Sequence, residues 1–118
     1  MNQTKRLGNN GEQAVARWLK NYGFHIVELN YNTKYGEIDL IVSKNDLIAF
    51  VEVKTRATTY FPISTVVTRP KQKKIIKTAQ IFLLKRQITE KTIRFDVATV
   101  TIENNCYKIQ YIENAFQT

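Results

Sequence analysis

Two consecutive strand patterns constrain the fold more than any other feature of the sequence. The segments Gly36–Ser43 and Leu47–Arg56 are rich in Ile, Leu and Val, and they are joined at Asn45-Asp46. Asn and Asp tolerate the positive φ angles that a tight hairpin needs. The sequence therefore predicts an antiparallel hairpin, in which Lys44 pairs with Leu47 if the loop has two residues.

Hydrophobic periodicity predicts the rest of an α/β domain around this hairpin. The further elements are helices at about Gly8–Tyr22 and Pro70–Gln87, and strands at His25–Tyr31, Thr92–Ile102 and Cys106–Ile112. The segment Ala57–Thr68 is polar and irregular, which is typical of a loop. We therefore expect a mixed β-sheet flanked by helices, in the order α-β-β-β-α-β-β, and a single domain over residues 1–118.

The charge of the chain favours polyanionic partners. Eighteen Lys and Arg residues stand against ten Asp and Glu residues, which gives a net charge of +8. A small basic domain attracts nucleic acid or an anionic membrane surface, although a solvated basic surface is the simpler explanation. Charges interrupt every apolar run before the roughly 18 residues of a membrane span, so we expect no membrane insertion and a cytoplasmic location. One Cys and one His exclude an internal disulfide and a Cys/His zinc site.

Acidic residues lie within the hairpin, among its apolar positions. Strand alternation places Glu37 and Asp39 on the face of Ile41, and Glu52 and Lys54 on the face of Phe50. The opposite face of the first strand is expected to carry Ile38, Leu40 and Val42. The two-residue loop sets Asp39 opposite Glu52, and Glu37 opposite Lys54, whereas a longer loop or a bulge would shift this pairing. Two opposed carboxylates need a cation or a raised pKa.

This arrangement of carboxylates suits Mg²⁺ or Mn²⁺, which prefer oxygen ligands. Next to a phosphate, such a cation activates water and stabilises the departing oxygen, and Lys54 can neutralise charge in the transition state. The pattern therefore predicts phosphodiester hydrolysis. The alternative is a surface ion pair between Glu37 and Lys54, with Asp39 and Glu52 on a solvated sheet face.

Other polar residues beside apolar helix positions are secondary candidates. Glu12 flanks the apolar stripe of the first helix, where it is either part of the site or an ordinary residue of the first turn. Gly11 weakens that helix unless the backbone approaches a neighbour closely. Gln72 lies within the apolar arc of the second helix, where it contacts either the site and DNA or a nearby backbone group. Arg94 and Asp96 share a strand face and are expected to form a structural pair.

Basic residues cluster near the start of the second helix. They are expected to bind the phosphates of nucleic acid, although a solvated helix face is the alternative. The predicted contact residues, with the glutamine among them and one strand residue, are Arg56, Arg69, Lys71, Gln72, Lys73, Lys74 and Lys77.

Several sequence blocks, in this order and spacing, resemble the YraN family of endonuclease-like proteins over Gly8–Phe116. The blocks are Gly11-Glu12, Gly36-Glu37-Ile38-Asp39-Leu40-Ile41, Phe50-Val51-Glu52-Val53-Lys54-Thr55-Arg56, Lys71-Gln72 and Arg94-Phe95-Asp96-Val97. The family in turn is similar to the restriction-endonuclease-like superfamily and to archaeal Holliday-junction resolvases. The resemblance implies that fold and Mg²⁺-dependent cleavage of DNA.

The resemblance also assigns roles to individual residues. Asp39 matches the first metal-ligand aspartate, Glu52 the second acidic ligand and Lys54 the catalytic lysine, while Glu12 matches the glutamate of the first helix. The predicted function is a metal-dependent DNA endonuclease, with branched DNA as one substrate class. Resolvases cut two strands as dimers, so a homodimer is expected. The alternatives are a non-catalytic nucleic-acid-binding module on the same fold and a scaffold that binds protein partners.

Overall fold

A computed structural model describes residues 3–56 and 67–118 of the chain, and the side chains from residue 10 onward. The elements in chain order are α1 (Gln3–Asn21), β1 (His25–Thr33), β2 (Gly36–Lys44), β3 (Leu47–Arg56), α2 (Arg69–Lys85), β4 (Thr92–Glu103) and β5 (Cys106–Phe116). This confirms the predicted α/β class and element order, and the architecture is compatible with a nuclease-like fold.

The strands of the described chain form one mixed sheet in the order β1-β2-β3-β4-β5. β3 and β4 are parallel, while the other neighbouring strands are antiparallel. Parallel neighbours need a crossover connection, and α2 lies in it. The hairpin between β2 and β3 has the predicted register, since Lys44 pairs with Leu47 and Asn45 adopts a φ of 53°.

One face of the sheet, called here the α2 face, packs against α2 through aromatic and branched side chains. The ring of Phe50 lies 6.0 Å from that of Phe82 on α2 and 5.6 Å from that of Phe95 on β4. Ile75 and Ala79 complete the buried stripe of the helix. Pro70 lies in the first turn of α2, as the sequence predicts. The N–H group that proline lacks would have had no partner within the helix at this position.

The opposite face, called the α1 face, packs against α1. Val15 and Leu19 of α1 are fully buried against Leu40, Val42 and neighbouring strand residues. Gly23 follows α1 with a φ of 90°, the left-handed conformation in which glycine stops a helix without strain. Each face of the sheet is thus covered by a helix, and the residues between them position the site.

Two predicted boundaries are wrong. α1 begins at Gln3 rather than near Gly8, and β5 runs to Phe116 rather than to Ile112. β5 continues beyond Ile112 because a bulge at Asn114, whose φ is 53°, restores the pairing between Phe95 and Phe116.

The predicted loop Ala57–Thr68 lies mostly outside the described residues. Its described end, Val67 and Thr68, is neither helix nor strand, as predicted, and Val67 is only 1% exposed and belongs to the core of the α2 face. An apolar side chain immediately before α2 therefore anchors the start of that helix to the sheet.

Candidate functional site

The candidate site lies where β2 stops pairing with β3. The paired register ends at Leu40 and Val51, so the predicted oppositions of acidic residues fall just beyond the ladder. There the backbone N–H of Val53 donates to the Oδ2 atom of Asp39 at 2.8 Å. The Asp39 carboxyl group takes the place of a backbone acceptor in the gap between the two strands.

The side-chain alternation of β2 changes at the same point. Ile38 packs with Ile41 in the core of the α2 face, so the prediction that Ile38 shares a face with Leu40 and Val42 is wrong. Beyond Leu40, β2 is paired with β1 alone, and its side-chain directions are no longer tied to the pleat of β3. This departure leaves Asp39 within reach of both faces of the sheet.

Glu52 comes from β3 on the side of the sheet that α2 covers. It is 5% exposed, and its carboxylate forms an ion pair with the ammonium group of Lys71 in the first turn of α2. Its side chain also hydrogen-bonds to Asp39. Burying a charged carboxylate is costly unless it is paired, so Lys71 and Asp39 account for its stability in the fold.

Glu12 reaches Asp39 from α1, on the other side of the sheet. Gly11 lets α1 approach β3, since a Cβ atom at this position would lie 2.0 Å from Oγ1 of Thr55. This close approach is the condition under which the sequence analysis allowed a glycine at this position of the helix. It brings the carboxyl group of Glu12 into hydrogen bonds with the side chains of Asp39 and Asn30.

Glu12, Asp39 and Glu52 thus form a carboxyl cluster with Asp39 at its centre. Burial raises the pKa of Asp39 to about 10, helped by the hydrogen bond to Glu52 and by the charges of Glu52 and Glu12, against the donor at Val53. Burial also raises the pKa of Glu12 above its ordinary value. At neutral pH, Asp39 therefore holds a proton that its acidic neighbours share.

A pocket of about 390 Å³ opens in front of the cluster. Asp39 and Glu52 line its acidic side, and Lys71 and Lys74 of α2 line its basic side. The remaining lining residues are Gly36, Glu37, Thr68, Pro70 and Ile75. Carboxyl and ammonium groups that line one pocket suit a ligand with a cation and an anion side by side, such as a metal-associated phosphate.

A divalent cation fits the chemistry of these donors. Within the described part of the chain, no group of three Asp, Glu, His or Cys side chains has the arrangement of a formed metal site. The reason is local: the Val53 N–H group and a shared proton engage Asp39, and the Lys71 ammonium engages Glu52. The carboxyl groups of Asp39, Glu12 and Glu52 would supply the oxygen donors that Mg²⁺ or Mn²⁺ prefers once that proton leaves.

The structure separates Lys54 from the pocket. Lys54 is half-buried and lies two residues after Glu52 on the same face of β3, in register with Thr99 of β4. It is not among the described residues that line the pocket. Among the described residues, Lys71 forms the ion pair with Glu52, and the sequence analysis predicted for Lys71 only a role in binding nucleic acid.

The basic residues predicted to bind nucleic acid divide by exposure. Arg69, Lys73, Lys74 and Lys77 are exposed on α2, and Arg56 is exposed at the end of β3. Gln72 is half-buried, and its Nε2 group donates to the backbone oxygen of Val67 at 3.1 Å. This is the contact with a nearby backbone group that the sequence analysis gave as the alternative to contact with the site and DNA.

Arg94 and Asp96 form the predicted structural pair. The guanidinium group of Arg94 donates to both carboxylate oxygens of Asp96, the shortest distance being 2.9 Å. The Tyr111 hydroxyl group and the Asn114 backbone N–H group complete the shell at 2.5 and 2.9 Å. Burial and the Asp96 charge raise the pKa of Tyr111, so its hydroxyl group remains a donor.

Two further residues of the site carried little signal in the sequence. Asn30, which contacts Glu12, has a φ of 50° and follows a register shift in β1 between Ile26 and Glu28. Thr68 enters the pocket at the end of a segment read as a loop. Both positions depend on tertiary packing. The tolerance of Asn for positive φ was the one sequence signal, and it applied to Asn30 alone.

No helix in the described ranges is long and apolar enough to cross a membrane.

Comparison with known proteins places the chain in one family. The family described as Uncharacterised protein family UPF0102 matches residues 11–100. A UPF0102 protein of Desulforapulum autotrophicum is 44% identical over 118 residues, covering 99% of this chain and 98% of the relative. UPF0102 proteins of Alkaliphilus oremlandii and Clostridium botulinum are 44% and 43% identical, covering 95% and 96% of this chain and 98% and 95% of those relatives. The chain belongs to the UPF0102 family, which is the YraN family that its sequence blocks predict.

Proposed function

We propose that the protein is a metal-dependent endonuclease that hydrolyses phosphodiester bonds in DNA. One observation carries the proposal: the Asp39 carboxyl group contacts those of Glu12 and Glu52, and Asp39 and Glu52 line a pocket that Lys71 and Lys74 also line. A fold gains nothing from gathering three acids around one site. The arrangement becomes favourable when a cation replaces the shared proton.

In this proposal Asp39 and Glu52 hold Mg²⁺ or Mn²⁺, and Glu12 contributes a third oxygen donor. A bound cation would supply Lewis-acid stabilisation of charge on the phosphate and an acidified water molecule. Glu12 and Asp39 already share hydrogen bonds, so Glu12 is placed to accept a proton from water at the cluster.

Two lysines have different tasks in the proposed reaction. Lys71 neutralises Glu52 in the resting site and, once a cation binds there, its ammonium group is released toward the phosphate. In the same proposal Lys54, two residues after Glu52 on β3, stabilises charge in the transition state, although it does not line the pocket.

The exposed lysines and Arg69 on α2 supply the contacts that hold the DNA backbone, because they lie on the helix that forms the basic side of the pocket. Branched DNA is the substrate class that we expect to be cut best. The homodimer and the cytoplasmic location predicted from the sequence belong to the same proposal.

Calorimetric titration with Mn²⁺, followed by a cleavage assay on linear, branched and single-stranded DNA, tests this function. Wild-type protein should bind Mn²⁺ and cut at least one substrate, while Asp39→Asn should do neither. Asp46→Asn is the matched control, since Asp46 is exposed in the turn between β2 and β3. Equal Mn²⁺ affinity in wild type and Asp39→Asn would contradict the proposal.

A second candidate is a nucleic-acid-binding module without catalysis. The ion pair between Lys71 and Glu52 favours it, because the buried acid already has an internal cation. A binder of this kind would retain nucleic-acid affinity in Asp39→Asn, and it would show no Mn²⁺-dependent cleavage of any substrate in the wild type.

A further inference from the structure

We propose that Tyr35 and the lysines around it bind an unpaired nucleobase next to the carboxyl cluster. This inference rests on the proposed function, since it names the feature of the nucleic acid that the same site recognises. Tyr35 lies on the turn between β1 and β2 and is 43% exposed, although it is a large aromatic residue. Exposed aromatic rings next to cations are the platforms on which single-stranded bases stack.

Two ammonium groups from different elements surround the ring. The Nζ atoms of Lys34, on the turn, and Lys77, on α2, each lie 5.3 Å from the ring centroid of Tyr35. An exposed cation–π contact is weaker than the stacking of a base on an aromatic side chain. A base therefore displaces an ammonium group from the ring, and the released lysine neutralises a phosphate of the same strand.

The turn is held in place before any ligand arrives. Oγ1 of Thr33 accepts a hydrogen bond from the backbone N–H of Tyr35 at 3.1 Å and lies 3.3 Å from Oγ1 of Thr78 on α2. Gly36 packs closely against α2, since a Cβ atom there would be 3.2 Å from Oγ1 of Thr78 and 3.3 Å from Cβ of Lys74. Because the backbone of the turn is already fixed, less conformational freedom is lost when a base stacks on Tyr35, which favours recognition.

The ring is continuous with the proposed catalytic pocket. Gly36, which follows Tyr35, and Lys74, one helical turn before Lys77, both line that pocket. A second cavity of about 390 Å³ is lined by Lys34 and Tyr35 of the turn and by Ile81 and Lys85 of α2. From Lys74 to Lys85 the helix advances by roughly 16 Å, at about 1.5 Å per residue. A single strand that passes Tyr35 along this track therefore leads into the carboxyl cluster.

Fluorescence anisotropy with a labelled oligothymidylate, in EDTA and at low salt, tests the inference. Tyr35→Leu should weaken binding by about 5- to 100-fold, the loss expected for one stacked base. Tyr35→Phe should bind like wild type, because the ring is retained. Tyr107→Leu is the matched control, since Tyr107 is 39% exposed near the turn between β4 and β5. A fully paired duplex should bind equally to all of these proteins.

The outcomes separate this inference from the proposed nuclease function. Oligothymidylate binding that is absent in wild type, or unchanged in Tyr35→Leu, would overturn the inference whatever the cleavage assay shows. An equal loss for duplex and single strand would overturn it too, because stacking requires an unpaired base. EDTA removes the metal, so the binding assay does not depend on cleavage. Tyr35-dependent binding in EDTA, together with no cleavage in the separate assay with Mn²⁺, would support the inference and contradict the nuclease.

Discussion

Two aspartates on the strands of the sheet, the fully buried Asp96 and the half-buried Asp39, have opposite surroundings. Asp96 is fully buried, and a guanidinium group, a hydroxyl group and a backbone N–H group all donate to it. Asp39 has one backbone donor, and its other neighbours are the carboxyl groups of Glu12 and Glu52. The first arrangement stabilises a carboxylate within the fold, whereas the second is favourable only with a proton or a cation. The comparison separates a structural acid from a candidate functional one, although both lie in apolar surroundings.

The largest effect is expected at the structural acid. Asp96→Ala leaves Arg94 and Tyr111 without their buried acceptor, so it should lower the free energy of unfolding by about 3–5 kcal/mol. Urea denaturation followed by circular dichroism measures the loss. A loss below about 1 kcal/mol, the size of a surface ion pair, would remove the distinction between the two aspartates.

Substitution of Gly11, the residue before Glu12 on α1, should have the next largest effect on stability. Ala favours a helix over Gly by about 1 kcal/mol, yet Gly11→Ala should destabilise the protein by about 1–3 kcal/mol because its Cβ atom overlaps Thr55. Thr55→Ala in the same chain should restore most of the loss, since it removes the overlapping Oγ1 atom. Stabilisation by Gly11→Ala alone would contradict the close approach of α1 to β3.

Removal of the ion pair between Lys71 and Glu52 should have a smaller effect, and this effect is on metal affinity. Lys71 competes with a cation for Glu52, so Lys71→Gln should increase Mn²⁺ affinity by about fivefold, equivalent to the roughly 1 kcal/mol of a partly exposed pair. The same substitution at exposed Lys73 should leave Mn²⁺ affinity unchanged. Weaker Mn²⁺ binding in Lys71→Gln would show that Lys71 is not a competitor.

The smallest effect concerns the basic helix and not the acids. Replacing Lys73 and Lys77 by Gln should reduce the slope of log affinity against log salt by about 1.8 on duplex DNA, which is two contacts at about 0.9 each. Binding titrations over a range of salt concentrations measure the slope. An unchanged slope would remove this face of α2 from the DNA interface.

The sequence predicted the features that depend on local chemistry. The Asn45-Asp46 turn fixed the hairpin register, and alternation placed Glu52 on the face of Phe50. The end of pairing beyond Leu40 and the contact between Lys71 and Glu52 were not predictable. They arise where α2 and β1 pack against β2 and β3, and no pattern within one segment records such contacts.

The pairing of Arg94 with Asp96 was visible because both residues lie on one face of one strand. The donors from Tyr111 and Asn114 were not, since both lie on the neighbouring strand β5, whose register with β4 shifts between Val97 and Phe95. Sequence therefore identified the acids of both sites, and the structure was needed to tell their surroundings apart.

The pH dependence of stability tests the contrast between the two aspartates most directly. The pKa of Asp39 is raised to about 10, so the native state holds a proton that the unfolded chain releases near pH 4. The stability from this group is fully present below about pH 4 and declines toward pH 10, by at most about 1.4 kcal/mol per pH unit. Asp39→Asn should remove the decline, and the wild type alone should be stabilised by Mn²⁺ at pH 7.5. Parallel pH profiles for the two proteins, together with a wild-type melting temperature that ignores millimolar Mn²⁺, would contradict the account.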